Sequence, residues 1–394
     1  MPKSTAHRGG RPRACRGRLA CAALTALAAI AAAAAAPRVP TDDNEVLAQL
    51  PAGTTHTNLQ IRRQAAARLD VALPLAQFYI SQARASGDLR LLGYAESLLR
   101  PWIGRSPPDA AALVLHATIL QSRHSFDAAL VELDEALRAR PDDAQAWLTR
   151  ATVLRVQGRY SQAAAACERF ARRADTAVSL ICEQSIRGLA GHLESAYALL
   201  AGLSTAGLLD AERAWRDSEL GEMAVRLGRE ADAEHWFRQA LTHSPGDSYV
   251  RAAYADLLLR QQRSAEVLRL LDGQESIEPL LLRLAIAQKQ QDDPDLARSR
   301  ERLQAAFAAE AERGEAVHRR EQARFLLEVQ GRPQEALAAA LDDWEIQREP
   351  DDVLILVNAA DAAGAPRRAQ PALEFARAQG LRDVRLVAAA GARW

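Results

Sequence analysis

Lysine, methionine and aromatic residues are scarce in this chain of 394 residues. Lysine occurs only at Lys3 and Lys289, there are two methionines, and phenylalanine, tryptophan and tyrosine together make up 5% of the sequence. Runs of β-branched and aromatic residues are also missing, either at period two or as buried strands. Since an all-β or α/β fold needs such runs, the sequence argues against both.

Catalytic motifs are missing as well. The sequence contains no H-E-x-x-H, no G-x-x-x-x-G-K-[ST], no G-x-S-x-G and no C-x-x-C. The eight histidines are scattered without the spacing of metal ligands. We therefore predict that the chain is not an enzyme and that it has no catalytic residues, cofactor or metal.

The first part of the chain, residues 1–36, has the layout of a secretory signal peptide. Six basic residues, from Lys3 to Arg18, precede a segment without charge, Leu19–Ala36, that ends in alanines. The alternative is an uncleaved anchor over residues 19–36, because this segment is nearly long enough to cross a bilayer. Residues 37–58 have the composition of a linker. We therefore expect a periplasmic or secreted protein, or one anchored in the inner membrane, which only then would contact the membrane.

The charge balance disfavours nucleic acid as a partner. The whole chain has 50 basic and 50 acidic residues, and without the six basic residues near the N-terminus 44 remain against 50. A mature protein would therefore be slightly acidic, whereas neutralising phosphates needs a basic face.

A period of about 34 residues, typical of stacked helix pairs, runs through the rest of the chain. Small residues recur at roughly this spacing and mark the period: Ala95, Ala129, Ala163, Ala196, Ala233, Val267, Ala297, Ala336 and Ala369. At the fifth position before five of them stands a glycine, at Gly158, Gly191, Gly228, Gly331 and Gly364. A glycine between two helical patterns favours a tight turn with positive φ. Val353–Val357 could be a strand by composition, but its place in the period predicts a helix.

The clearest unit, Ala144–Asp175, has Trp147, Ala151, Leu154, Gly158, Tyr160 and Ala163 in order. This unit resembles the tetratricopeptide repeat (TPR). The period and the helical pattern predict an all-α superhelical solenoid of stacked antiparallel helix pairs, which is TPR-like. About nine units would occupy residues 76–382, after a capping helix at 59–75 and before a tail or cap at 383–394.

The resemblance also implies a concave groove lined by the first helix of each unit. In the better units, the positions that face this groove in the family are Thr118, Gln121, Thr152, Arg155, Trp215, Glu222, Arg226, Tyr249, Asp256 and Arg260. From these we choose Trp215, Arg226, Tyr249 and Arg260 as a candidate partner-binding patch, because aromatic and arginine residues are common interface hot spots. The alternative is that Trp215 and Tyr249 simply fill the seam between units.

Two cysteines remain after the N-terminal segment. Cys167 takes the bulky core position of one second helix, and Cys182 lies on the first helix of the next unit. Because consecutive helices in such a stack are neighbours, the two could form a disulfide in an oxidising compartment. The alternative is two buried thiols that never meet.

These features favour an exported, non-catalytic scaffold that binds another protein in the bacterial cell envelope. An alternative is an envelope polysaccharide-export or cell-wall assembly factor with glycan in its groove. It ranks lower because sugar sites usually present aromatic platforms. An enzyme with a site spread over the superhelix has no motif to support it. The sequence does not identify the partner or the oligomeric state.

Overall fold

The computed structural model describes Gln64, residues 67–312 and residues 318–394. The predicted signal segment at 1–36 and the predicted linker at 37–58 lie outside these residues. The described residues contain nineteen α-helices and no strand. The fold is therefore all-α, a TPR-like helical solenoid, as the sequence predicts.

The helices follow one another as antiparallel pairs. The first four pairs are α1 (Leu69–Ser86) and α2 (Arg90–Ile103), α3 (Ala110–Ser122) and α4 (Phe126–Ala139), α5 (Ala144–Val156) and α6 (Tyr160–Phe170), and α7 (Thr176–Arg187) and α8 (Leu193–Ala201). The next three are α9 (Asp210–Arg226) and α10 (Glu230–His243), α11 (Ser248–Arg260) and α12 (Ser264–Leu270), and α13 (Glu278–Gln290) and α14 (Leu296–Glu312).

The last elements are less regular. Helix α15 (Arg319–Arg324) continues as a π-helical turn, Phe325–Val329, and pairs with α16 (Pro333–Trp344). Helix α17 (Pro350–Ala362) pairs with α18 (Gln370–Ala378), which a short 3-10 turn, Pro366–Ala369, precedes. Helix α19 (Val384–Ala390) and the 3-10 turn Gly391–Arg393 close the chain.

One predicted boundary falls differently on these helices, and of the two alternatives for the C-terminal segment the structure has the cap. Helix α1 runs continuously through the border that we placed between a cap ending at residue 75 and the first unit. It buries Ala72, Ala76 and Ile80 along one face, so it is the first helix of the first pair. At the other end, α19 buries Leu386 and Ala390, so residues 383–394 include a packed helix.

The small residues that mark the period lie in the core, with one exception. Eight of the nine are fully buried, including Ala95, Ala233 and Val267. Ala297 is exposed, and Ser299 takes the buried place in α14. The core face of α14 follows Ser299, Leu303 and Phe307, which also explains why Glu301 points outward. Choosing alanine as the marker misplaced the register here, because alanine suits exposed helix faces as well as buried ones.

The turns between the two helices of a pair contain a residue with a left-handed backbone conformation. All five predicted turn glycines have positive φ, from 67° at Gly331 to 87° at Gly191. Three units without glycine adopt the same conformation at His124, Gln262 and Asp292, with φ of 56°, 59° and 51°. The backbone path of the turn therefore persists where the residue that favours it is absent.

Val353–Val357 is helical, as its place in the period predicts. The segment lies in α17, where Val353, Ile355, Leu356 and Val357 are all buried. A helix that is apolar nearly all round belongs in a core. Its strand-like composition therefore reflects burial from several sides.

The C-terminal pairs contact pairs that are far away in sequence. The Arg348 backbone N–H donates to the Val156 carbonyl at 2.8 Å, and the Tyr160 hydroxyl donates to the Arg348 carbonyl at 3.2 Å. One hydrophobic cluster includes both Leu154 of α5 and Leu373 of α18. In addition to neighbour-to-neighbour stacking, the solenoid therefore has contacts between remote units.

Helices α6 and α7 are joined by a disulfide in the structure. Cys167 and Cys182 are bonded, and their Cα atoms lie 5.8 Å apart, within the range that a disulfide bridges. Both cysteines are buried. The bond connects the second helix of one pair to the first helix of the next.

Within residues 67–312 and 318–394, none of the helices combines the length and the apolar character that crossing a membrane would require.

Candidate functional site

The first helices of the pairs surround a cavity of about 310 Å³. Odd-numbered helices from α1 to α17 contribute most of its lining, and α19 adds Arg385. The polar lining residues include Arg84, Ser122, His124, Arg155, Glu222, Arg226, Ser248, Tyr249, Asp256, Arg260, Arg283, His318, Arg320, Glu321, Glu349, Asp351 and Arg385. Leu89, Leu92, Val225 and Phe237 are among the apolar ones. A space of this size is at the lower end of small-ligand pockets.

The cavity gathers six of the ten positions that the resemblance assigned to the groove. These are Arg155, Glu222, Arg226, Tyr249, Asp256 and Arg260. The structure thus places three residues of the candidate patch, Arg226, Tyr249 and Arg260, on one lining. Arg226 and Arg260 share a repeat position in consecutive units, and Tyr249 lies on the same helix as Arg260.

Trp215 of the candidate patch does not line the cavity. It is partly buried and packs against two hydrophobic clusters, and its indole N–H donates to Glu219 Oε1 at 3.2 Å. Trp215 therefore fills the seam between units, which was the alternative interpretation of this residue. Glu219, which accepts this hydrogen bond, also pairs with Arg155 of the cavity lining.

A group of arginines and carboxylates forms one wall. Arg283 contacts Asp256 at 2.8 Å and Glu321 at 3.4 Å, and Arg324 also contacts Asp256, at 2.9 Å. Burial alone would raise the pKa of Asp256, but Arg283 and Arg324 hold it below its usual value. Because two guanidinium groups share it, Asp256 stays ionised and fixes the first helices of three units to one another.

Arg320 occupies the centre of a second group. It lies 3.1 Å from Asp352 and 3.4 Å from Glu349, which are the N3 and N-cap residues of α17. Burial raises the pKa of Asp352, and so does the nearby Asp343. Burial likewise raises the pKa of Asp343, to about 6. The charge of Asp343 therefore opposes the ionisation of the buried Asp352.

Arg155 and Tyr249 define the third group. Arg155 Nη1 lies 2.6 Å from Glu219, and Nη2 lies 3.5 Å from Glu222. The Tyr249 hydroxyl donates to Glu222 Oε1. Burial and the neighbouring charge of Glu219 raise the pKa of Glu222 to about 7. Although 52% of the surface of Tyr249 is accessible, it lies on the lining of a cavity inside the protein, and burial raises its pKa well above the usual value.

Arg226 and Arg260 differ from the other arginines of these groups. Arg226 is 4% exposed, and among the described residues its one hydrogen bond runs from Nη1 to the Gly188 carbonyl at 2.7 Å. The side chain of Arg260 makes no hydrogen bond or ion pair with any described residue. Burial lowers the pKa of both guanidinium groups.

His318 lies between two carboxylates at the edge of the cavity. Its Nδ1 is 2.5 Å from Glu310 Oε1 and 3.3 Å from Glu278 Oε1, and ligand atoms of the three residues lie within 4.8 Å of one another. The sequence did not predict this cluster, because its members come from separate elements. Burial lowers the pKa of His318, but the hydrogen bond to Glu310 and the charge of Glu278 outweigh this effect and raise it to about 9. A protonated imidazolium between two carboxylates accounts for the cluster.

The residues that sequence reasoning missed are mainly the partners of predicted ones. Glu219, Arg283, Arg320 and Glu321 take no part in the repeat pattern, and Arg385 follows the last predicted unit. A signal existed, since Glu219 and Arg283 interrupt otherwise apolar helical faces. Only the stacking of the units shows that these charges meet.

No protein-family model matches the chain, and no curated protein matches it. Among solved structures, it is similar to PilF of Pseudomonas aeruginosa, with 18% identity, 63% of this chain and 94% of that chain covered, and a TM-score of 0.32. A tetratricopeptide repeat protein from Parabacteroides merdae has 12% identity, with 73% and 98% covered and a TM-score of 0.36. A human IFIT1 dimer with PPP-AAAA has 11% identity, with 81% and 88% covered and a TM-score of 0.44. Similarities at this level carry no information about the partners of this chain.

Proposed function

We propose that this chain is an exported, non-catalytic scaffold that binds a protein partner in the bacterial cell envelope. The observation that carries the proposal is the common lining made by the first helices, where charged and aromatic side chains from most units meet. Stacked helix pairs build extended concave surfaces in this way, and such surfaces serve binding. Tyr249, Arg260 and the surrounding rim are the proposed contact region.

The experiment is crosslinking in the cell followed by affinity capture of the chain through a C-terminal tag, with the partner identified by mass spectrometry. We expect one stoichiometric protein partner. Capture of the chain alone would overturn the scaffold proposal and would favour the glycan-binding alternative, which a glycan screen with the purified protein would then test.

Charge reversal at Arg260 is the matched variant. Arg260 has no ion pair with a described residue to lose, so R260E should weaken capture. Because the new carboxylate would face Asp256, Asp351 and Asp383, R260Q, which adds no negative charge, is measured beside it to separate lost capture from lost stability. R367E is the control, because Arg367 is exposed and makes no ion pair within the described chain. The same reversal at Arg226 is not a suitable variant. A buried carboxylate there would face the Gly188 carbonyl and lower stability.

Export is a separate part of the proposal and has its own test. Cell fractionation combined with N-terminal sequencing of the recovered chain distinguishes the two forms. A soluble envelope protein that begins near residue 37 supports cleavage. A chain that retains residues 19–36 and leaves the membrane only in detergent supports the anchor. Recovery in the cytoplasm with an intact N-terminus would contradict export.

A further inference from the structure

The starting observation is a difference between the arginines of the cavity. Arg226 and Arg260 are the last residues of α9 and α11, at equivalent positions of consecutive units. Both line the cavity, yet neither lies within ion-pair distance of a carboxylate among the described residues. Arg155, Arg283, Arg320 and Arg385, which line the same space, each have at least one such partner. Arg84, the remaining arginine of the lining, also has no ion pair among the described residues, but it is exposed to solvent.

The carboxylates on the cavity lining already interact with other side chains. Glu222 interacts with Arg155 and Tyr249, and Asp256 with Arg283 and Arg324. Glu321 lies near Arg283, Glu349 near Arg320, and Asp351 2.7 Å from Arg385. Rearranging these acids towards Arg226 or Arg260 would remove them from other arginines. Arg226 and Arg260 therefore have no carboxylate in direct contact among the described residues, and the nearby charges of Asp383 and Asp256 act on them from a longer distance.

Such an arrangement is costly unless something compensates it. A buried charge without a partner is strongly unfavourable, and the almost fully buried Arg226 has one of its five N–H donors bonded to a described residue. A guanidinium with free donors beside an accessible cavity is suited to binding a planar or tetrahedral oxyanion through paired hydrogen bonds. The lining around it also offers Leu89, Leu92 and Val225 to an apolar body.

We propose that the cavity is a binding site for a small organic anion, whose carboxylate or phosphate group is held by Arg226 and Arg260. The interior of the cavity, about 310 Å³, has room for a ligand of low molecular weight, whereas a protein partner would contact the rim. The proposal does not depend on the scaffold role, since it concerns the interior of the cavity and a small ligand.

The test is isothermal titration calorimetry on the purified full chain in a low-salt buffer free of phosphate and other oxyanions. The probes are phenyl phosphate, benzoate and the neutral benzamide. We expect at least one of the two anions to bind and benzamide to bind at least tenfold more weakly, because hydrogen bonds between a guanidinium and an anion are stronger than those to a neutral amide. Which anion binds more tightly distinguishes a phosphate ligand from a carboxylate ligand.

Two variants locate the site. R226Q and R260Q should each weaken binding of the anion at least about tenfold, and R367Q, at an exposed arginine, should leave it unchanged. Circular dichroism confirms that each variant is folded. If R226Q fails to fold, R260Q alone decides, because Arg260 has no described hydrogen bond to lose.

Three results would overturn the proposal: no heat from either anion, equal binding of benzoate and benzamide, or unchanged binding in the folded variants. None of them depends on partner capture. If R260Q loses the anion while R260E still captures a protein, the anion site stands and the contact region of the scaffold lies elsewhere. If R260E loses capture of the protein but the wild type binds neither anion, the contact region stands and the anion site is ruled out.

Discussion

Individual interior positions show how closely the helices approach one another. A Cβ atom added at Gly221 in α9 would lie 2.5 Å from the ring of Phe237, which is 1% exposed. The glycine therefore permits contact between α9 and α10. Sequence reasoning could align Gly221 with the repeat pattern, but the ring that it faces is visible only in the packed structure.

Replacing this glycine should destabilise the protein although alanine favours helices. We expect G221A to lower the free energy of unfolding by about 1–3 kcal/mol, because the ring must shift in a filled core. G93A is the matched control: Gly93 lies inside α2 with nothing within 4 Å of an added Cβ, so alanine should stabilise by up to about 1 kcal/mol. Denaturant titration measures both. A stabilised G221A would show that the contact is loose.

His318 should make stability depend on pH in the alkaline range. Its pKa is about 9 in the folded protein, above the usual 6.5, because of Glu310 and Glu278. The group favours the folded state fully below pH 6.5, and this contribution disappears as pH rises through 9. H318Q should therefore lose less thermal stability than the wild type between those values. H192Q, at an exposed histidine, is the control. If the thermal midpoint of H318Q changes with pH in the same way as those of H192Q and the wild type, the raised pKa of His318 is contradicted.

Pairs of helices depend on their connections as well as on their apolar faces. The turn glycines of five units were visible in the sequence, because positive φ favours glycine. His124, Gln262 and Asp292 adopt the same backbone without that advantage. The helices on both sides impose the turn, which a reading of local residue preference cannot show.

The contribution of the disulfide between α6 and α7 to stability can be measured directly. Closing a loop with a sequence separation of 15 should stabilise the fold by roughly 3 kcal/mol in the loop-entropy account. We therefore expect C167S/C182S to have a lower unfolding midpoint than the oxidised wild type, and reductant to have no effect on this variant. Digestion without reductant should yield one linked peptide from α6 and α7. Two separately alkylated peptides would show that the thiols are free.

The chain as a whole departs from a stack in which each unit contacts only its neighbours. The Phe375 ring of α18 lies 6.1 Å from the Tyr160 ring of α6, centroid to centroid, and 5.4 Å from that of Trp344. Such remote contacts join the C-terminal pairs to α5 and α6. Unfolding should then be more cooperative than in an open solenoid.

F375A tests this coupling. Loss of the ring should lower the free energy of unfolding by about 2 kcal/mol or more. Hydrogen exchange should also become faster in α6, although it is far from the substitution in sequence. F78A is the control, since Phe78 is 54% exposed on α1 and contacts neither region. Faster exchange confined to α17–α19 would show that only neighbouring units interact.

The fold class follows from local features of the sequence, namely the repeat period, the turn glycines and the recurring small residues. The resemblance to the tetratricopeptide repeat then assigned Arg226, Tyr249 and Arg260 to groove-facing positions. The same features predicted a helix at Val353–Val357. They failed at Ala297, because alanine does not distinguish a core position from a surface position.

What those groove-facing positions contact depends on how the units stack in three dimensions. The tertiary structure packed Trp215 into the seam, brought Glu278, Glu310 and His318 together, and paired most of the cavity arginines with carboxylates from other units. It also left Arg226 and Arg260 unpaired among the described residues. The physical reason is that Coulomb energy and burial depend on distances between units far apart in sequence, and a periodic pattern specifies each unit without specifying the curvature that sets those distances.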